Sequence, residues 1–212
     1  MPIIAVLNPK GGSGKTTLST TLARSLHERG SSVLIVDSDP QGSARDWHAA
    51  SENNPLPLVA LDRANNLKSL VSVQASYDYV IIDGAAKLED MIAAAIRAAD
   101  FILIPVQPSP YDIWAASDLV DFIKARQEVT DGKPKASFVI TRMMKRTKLG
   151  REIGDALAEY GLPVFECNLM QRQVYPQTAA EGLTIFDADN EEAIEEIKAL
   201  TEEFLTFIDT SH

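Results

Sequence analysis

Short runs of apolar, β-branched residues alternate along the chain with stretches whose apolar positions recur at helical spacing. The runs are Ile3–Leu7, Val33–Asp37, Tyr79–Asp83, Phe101–Val106 and Ser137–Thr141, with weaker ones at Leu58–Leu61 and Val164–Cys167. Runs that are apolar without alternation read as strands covered on both faces. Helical spacing predicts helices near 15–29, 65–73, 88–99, 113–129, 148–160 and 190–208. Strands alternating with helices imply βαβ units, a parallel sheet and right-handed crossovers. The expectation is an α/β protein: a mostly parallel twisted sheet between two helical layers, with residues 1–212 as one domain. Asn54–Pro57 reads as a loop and Asp131–Pro134 as a turn. In the last helix, Ile194, Ile197, Leu200, Phe204, Leu205 and Ile208 form one apolar stripe opposite a face dense in glutamate. Helices that lie on membrane surfaces need basic residues there, so this one is expected to pack on the domain or on a partner.

The strongest chemical signal follows the first predicted strand and opens the first helix: Lys10-Gly11-Gly12-Ser13-Gly14-Lys15-Thr16-Thr17. Glycines let the backbone turn so that successive N–H groups face one anion. The helix N-terminus adds its dipole. Lys15 supplies a point charge near the β- and γ-phosphates of a nucleotide, and the Thr16 hydroxyl can ligate Mg²⁺. Two strands end in acids. Asp37 closes Val33–Asp37 and leads into Ser38-Asp39-Pro40-Gln41-Gly42, while Asp83 closes four apolar residues and is followed by Gly84-Ala85-Ala86. Carboxylates at the C-terminal ends of parallel strands sit where α/β proteins bind ligands. Asp37 is therefore expected near the Mg²⁺ shell, and Asp83 as a metal ligand, directly or through water.

Composition narrows the class. The 212 residues carry 30 acids against 20 bases, a formal net charge of −10, which taken alone argues against a nucleic-acid partner. The charge is uneven, however. Arg142, Lys145, Arg146, Lys148 and Arg151 cluster without an acid among them, whereas 187–209 holds nine acids and the single base Lys198. Together with Arg172, the residues Lys145, Arg146, Lys148 and Arg151 form a candidate patch for phosphates of non-specific DNA. The lone Cys167 can form no internal disulfide and reads as a small buried hydrophobe. No apolar run is long enough to span a bilayer, and the start of the chain does not read as a signal peptide. The expectation is a cytoplasmic protein.

The lysine before the glycines and the compressed spacing of the octet resemble the deviant Walker motif of the ParA/MinD superfamily of P-loop ATPases. Asp37–Gly42 resembles that family's switch I, and Tyr79–Asp83 its Walker B strand. The Gly after Asp83, the proline-rich Ile104–Asp112 and Gln171-Arg172-Gln173-Val174-Tyr175 are similar to the short, ParF-like plasmid proteins that lack an N-terminal helix-turn-helix. The resemblance covers nearly the whole chain. It implies binding of ATP/ADP with Mg²⁺ and slow hydrolysis in which Lys10, Lys15 and Asp39 are catalytic. Asp39 would orient the attacking water. Lys10 would reach across a nucleotide sandwich homodimer to the partner's phosphates, and higher-order assembly is an open extension. Relatives place an adenine contact, often Asn, near Thr141–Met144. Here Met143 and Met144 are the candidates for the purine, and Pro105 in the proline-rich segment is a further cofactor-site candidate. The implied function is DNA segregation: a centromere-binding ParB-like partner stimulates hydrolysis, and the ATP state associates with the nucleoid. Two alternatives stay open. One is an ATPase of the same fold that positions a protein cargo or assists conjugative transfer. The other is a MinD-like membrane-cycling ATPase, which the acidic last helix disfavours.

Overall fold

This computed structural model describes residues 1–70, 76–86, 88–144 and 148–210, with the backbone alone at 68, 69 and 148–151. Six strands form one sheet: β1 (Ile3–Val6), β2 (Val33–Asp37), β3 (Leu58–Ala60), β4 (Tyr79–Asp83), β5 (Phe101–Val106) and β6 (Lys135–Ile140). All pair in parallel, in the order β3-β2-β4-β1-β5-β6. The helices are α1 (Lys15–Glu28), α2 (Ser43–Ala49), α3 (Glu89–Ala98), α4 (Pro110–Ala115), α5 (Ser117–Glu128), α6 (Lys148–Ala158), α7 (Val174–Ala180) and α8 (Glu191–Asp209).

The uninterrupted apolar strands have a simple cause: each face of the sheet is roofed by helices, so successive residues feed two separate cores. Ile3 and Ala5 join the side chains of α3, α5 and α6, whereas Ile4 and Val6 join those of α1, α2 and α8. The last helix packs on the domain. Its Ile197, Leu200 and Phe204 are fully buried, and Thr201 Oγ1 donates to Ser25 Oγ of α1 at 2.7 Å. Burying such a stripe is the main source of a helix's stability in a folded protein.

Four expectations change. The helix expected over 113–129 begins earlier, at Pro110, whose missing N–H costs nothing in a first turn, and divides at Ala116 into α4 and α5. Val164–Cys167 makes no strand. Val164 bridges Phe138 beside β6, and Phe165 N donates to Phe138 O, before the chain turns away. The seven-residue helices α2 and α7 fall where the pattern gave no helix. Of the helix expected over 65–73, Asn66–Ser69 is a 3-10 turn, and 71–73 lie outside the described residues.

Candidate nucleotide site

The C-terminal ends of β1, β2 and β4 converge on one cleft of about 780 Å³. Its walls include Gly11, Gly12, Gly14, Lys15, Thr16 and Asp39. Gly12 (φ 78°) and Gly14 (φ 95°) take the left-handed conformation that lets the loop curl back over the start of α1. Three side chains tie the loop from outside. Asn8 Nδ2 donates to Pro105 O at 2.7 Å while its Oδ1 accepts from Lys10 N at 2.8 Å. Gln107 Nε2 donates to Gly12 O, and Thr141 Oγ1 donates to Ser13 O at 2.8 Å. With carbonyls held outward, the N–H groups of the loop are left for an anion. Thr17 stands on the same wall.

The cations of the loop divide. Lys15 is buried, its Nζ 3.1 Å from Lys10 O. Burial holds its pKa below the usual lysine value, against the opposing pull of Asp83 and Asp39. Lys10 turns the other way. Its Nζ pairs with Asp112 Oδ2 at the start of α4, and its side chain keeps 38% of its exposure. Asp112 is almost fully buried, and its Oδ1 has no hydrogen-bond partner among the described residues.

The acids occupy the positions that the strand ends predict, with unequal roles. Asp37 and Asp83 are register partners across β2 and β4. Asp83 accepts from Thr16 Oγ1 at 2.7 Å and from Ser19 Oγ at 3.1 Å. Burial pushes its carboxyl up to about 7. A hydroxyl and a carboxylate in contact are hard oxygen donors suited to Mg²⁺, which keeps its remaining positions for phosphate and water. No cluster of three His, Cys, Asp or Glu occurs among the described residues, so an all-protein cage is not the arrangement offered here. Asp37 is committed to the loop instead. Its Oδ1 accepts from Asp39 N at 3.0 Å, its Oδ2 accepts from Arg45 N at 2.9 Å, and the Arg45 guanidinium lies 3.3 Å away. It stands beside Asp83 across the strand pair and shapes the segment carrying Asp39. Burial raises its pKa as well. Asp39 lines the cleft, with Oδ1 accepting from Gln41 N. Gly84 follows Asp83 for a steric reason: a Cβ there would lie 2.3 Å from Leu7 Cδ2 and 2.8 Å from Val6 O.

A second cavity, of about 210 Å³, adjoins the cleft and shares Gly14, Thr17 and Arg142 with it. Its apolar walls come from Leu169, Met170, Tyr175 and Pro176. Met143 packs against the core and bridges Met170. Pro105 belongs to β5, where its carbonyl holds Asn8. The wall of this cavity thus comes from neighbours of the methionines singled out in the sequence. The basic patch is reshaped too. Arg172 donates to Glu192 Oε2 at 2.9 Å and to both Glu196 oxygens of α8, and only 17% of its side chain is exposed. It is engaged by the acidic helix and is not a free phosphate contact. Lys145 and Arg146, and the side chains of Lys148 and Arg151, lie outside the described residues. Cys167 is half-buried, its thiol pushed up to about 11 by burial and Glu203.

Residues 4–185 match the model of the CobQ/CobB/MinD/ParA nucleotide binding domain. The chain belongs to this family. Its members of the ParA/MinD kind are P-loop ATPases. Maintenance of carboxysome distribution protein A of Halothiobacillus neapolitanus is 33% identical over 208 residues, 95% of each chain. Protein ParA of Rhizobium radiobacter is 28% identical over 179 residues, 82% of this chain and 81% of that one. An ATP complex of McdA from Cyanothece has the same fold, with a TM-score of 0.75 at 17% identity over 96% of each chain. Among the described residues no helix is long and apolar enough to cross a membrane.

Asn8 escaped the motif reading, and so did the bonds that Gln107 and Thr141, inside segments already singled out, make to the phosphate loop. Each stands just past, or at the end of, a strand, which is the one signal that could have found them.

Proposed function

We propose that this chain is a Mg²⁺-dependent ATPase whose ATP state is a sandwich homodimer, and that its cycle positions a large cargo within the cell. One observation carries the reading. Lys15 lies buried in the cradle, while Lys10, on the same loop, is turned away from it to Asp112 with 38% of its side chain exposed, from where a second subunit's phosphates can draw it. Two cations around one triphosphate would offset its charge in an interface with little water. Asp39, on the cleft wall, is the residue to orient the attacking water, with Thr16 and Asp83 holding Mg²⁺. The 33% identity across nearly the full length of a carboxysome-distribution protein supports a protein-bounded cargo. The ParA relative supports the second reading, a plasmid or chromosome moved with a ParB-like partner. In either reading the track is non-specific DNA and the remaining basic patch from Lys145 to Arg151 is its contact surface.

The test is size-exclusion chromatography with Mg-ATP, paired with phosphate release. Asp39→Ala is expected to bind ATP and accumulate as a dimer without turnover, whereas Lys10→Ala binds ATP and stays monomeric. An Asp39→Ala protein that remains monomeric at saturating ATP would overturn the proposal.

A further inference from the structure

The loop that carries Asp39 closes around a side chain from outside the sequence motif. Arg45 stands in the first turn of α2, and the segment from Asp37 to Gly42 bends around its guanidinium. Nη2 donates to Asp39 O at 3.0 Å and to Pro40 O at 3.2 Å. Nε lies 3.3 Å from Asp37 Oδ2, an oxygen that also accepts from Arg45 N at 2.9 Å. Nη1 donates to Asp62 Oδ2, beyond β3, at 3.3 Å. All three guanidinium nitrogens are thus engaged. Gly42 completes the wrap: its φ is 73°, and a Cβ there would stand 3.0 Å from both Nε and Nη2.

This arrangement fixes the backbone of Asp39 on both sides of its Cα. Asp39 N donates to Asp37 Oδ1 at 3.0 Å, and Asp39 O accepts from Arg45 Nη2 and from Gly42 N. A planar fork of donors sets such a turn more firmly than a point charge does. The Asp39 side chain lines the phosphate cleft, whereas Arg45 is not among the described residues that line it.

We infer that Arg45 is a positioning residue for hydrolysis: it clamps the carbonyls of Asp39 and Pro40 and so aims the Asp39 carboxylate at the attacking water, without touching the nucleotide. The inference rests on the nucleotide reading proposed above and goes beyond it by naming what sets the geometry of the hydrolytic loop. Phosphoryl transfer depends mainly on positioning, and a misplacement of about 1 Å can cost about a hundredfold in rate.

The experiment compares wild type, Arg45→Ala and Arg45→Lys as full chains by three measurements: steady-state ATP hydrolysis, Mg-ATP affinity by isothermal titration, and amide hydrogen exchange without nucleotide. Arg45→Lys keeps a positive charge beside Asp37 and Asp62 and should melt close to the wild type, but one ammonium cannot serve two carbonyls and two carboxylates at once. In both variants kcat is expected to fall about tenfold to a hundredfold, with Mg-ATP affinity within about twofold of wild type. The amides of Asp39, Gln41 and Gly42 should exchange about tenfold faster in both variants, while those of β1 and β4 keep their protection. A general loss of folding would not give that local pattern. A kcat within about twofold of wild type in both variants overturns the inference. So does a loss of Mg-ATP affinity as large as the loss of kcat, since Arg45 would then act on binding, and so does unchanged exchange in this loop. A wild-type protein that neither binds nor hydrolyses Mg-ATP would instead refute the nucleotide reading itself.

Discussion

Asp83 offers the most quantitative check on the site. In the metal-free protein its carboxyl is buried between β1 and β2, and its pKa stands at about 7 against an ordinary 3.8. Two hydroxyls, Thr16 and Ser19, lower it, but burial and the neighbouring Asp37 outweigh them. A pKa raised on folding means that the folded state holds the proton more tightly than the unfolded chain. The stabilisation is therefore complete below about pH 4 and is lost as pH rises through about 7. The loss amounts to at most about 4 kcal/mol at pH 8. Asp83→Asn removes the charge while keeping an oxygen for one hydroxyl. Urea unfolding in EDTA at steps from pH 4 to pH 8 should find the variant's advantage near zero at the acid end. It should grow to about 2–4 kcal/mol at pH 8. Asp37 shifts in the same direction but is present in both proteins, so it largely cancels. Mg-ATP should reverse the order, because only the wild type gains full ligand linkage. An advantage that does not change with pH, or a variant less stable than wild type at pH 8, would refute the account of Asp83 as a buried carboxylate waiting for a cation.

Two further outcomes follow from the same geometry. Lys10→Ala leaves Asp112 buried and unpaired, and should cost about 1–3 kcal/mol in urea unfolding. Adding Asp112→Asn should restore most of it, a coupling that a double-mutant cycle reads directly. Gly84→Ala forces a methyl against Leu7 and Val6 O and should lower stability by about 1–3 kcal/mol in thermal or urea melts.

Much of this could be read from residue order because it rests on local rules. Strand ends carrying Asp37 and Asp83, and the glycines before Lys15, have fixed spacing and fixed chemistry. What could not be read depends on contacts between distant segments. Arg172 counts as a free base in the sequence, yet Glu192 and Glu196, about twenty residues on, neutralise it once α8 folds back. Asn8 and Thr141 look like ordinary polar residues until the sheet order sets them beside the phosphate loop. The helices α2 and α7 are too short to show a period, and a long-range bond ties α2 to the turn beyond α7: Trp47 Nε1 donates to Leu183 O at 2.9 Å.

That last pairing has a mechanical result. Gly182 has no room for even a methyl group, since a Cβ would stand 2.6 Å from Ser51 N and 2.7 Å from Trp47 O. The turn that follows α7 thus touches the turn that closes α2. α2 starts where the loop from Asp37 through Asp39 stops, and α7 brings Tyr175 to the wall of the smaller cavity. Any side chain at Gly182 would push on the turn that closes α2, just beyond the segment that carries Asp39, so the position admits glycine alone.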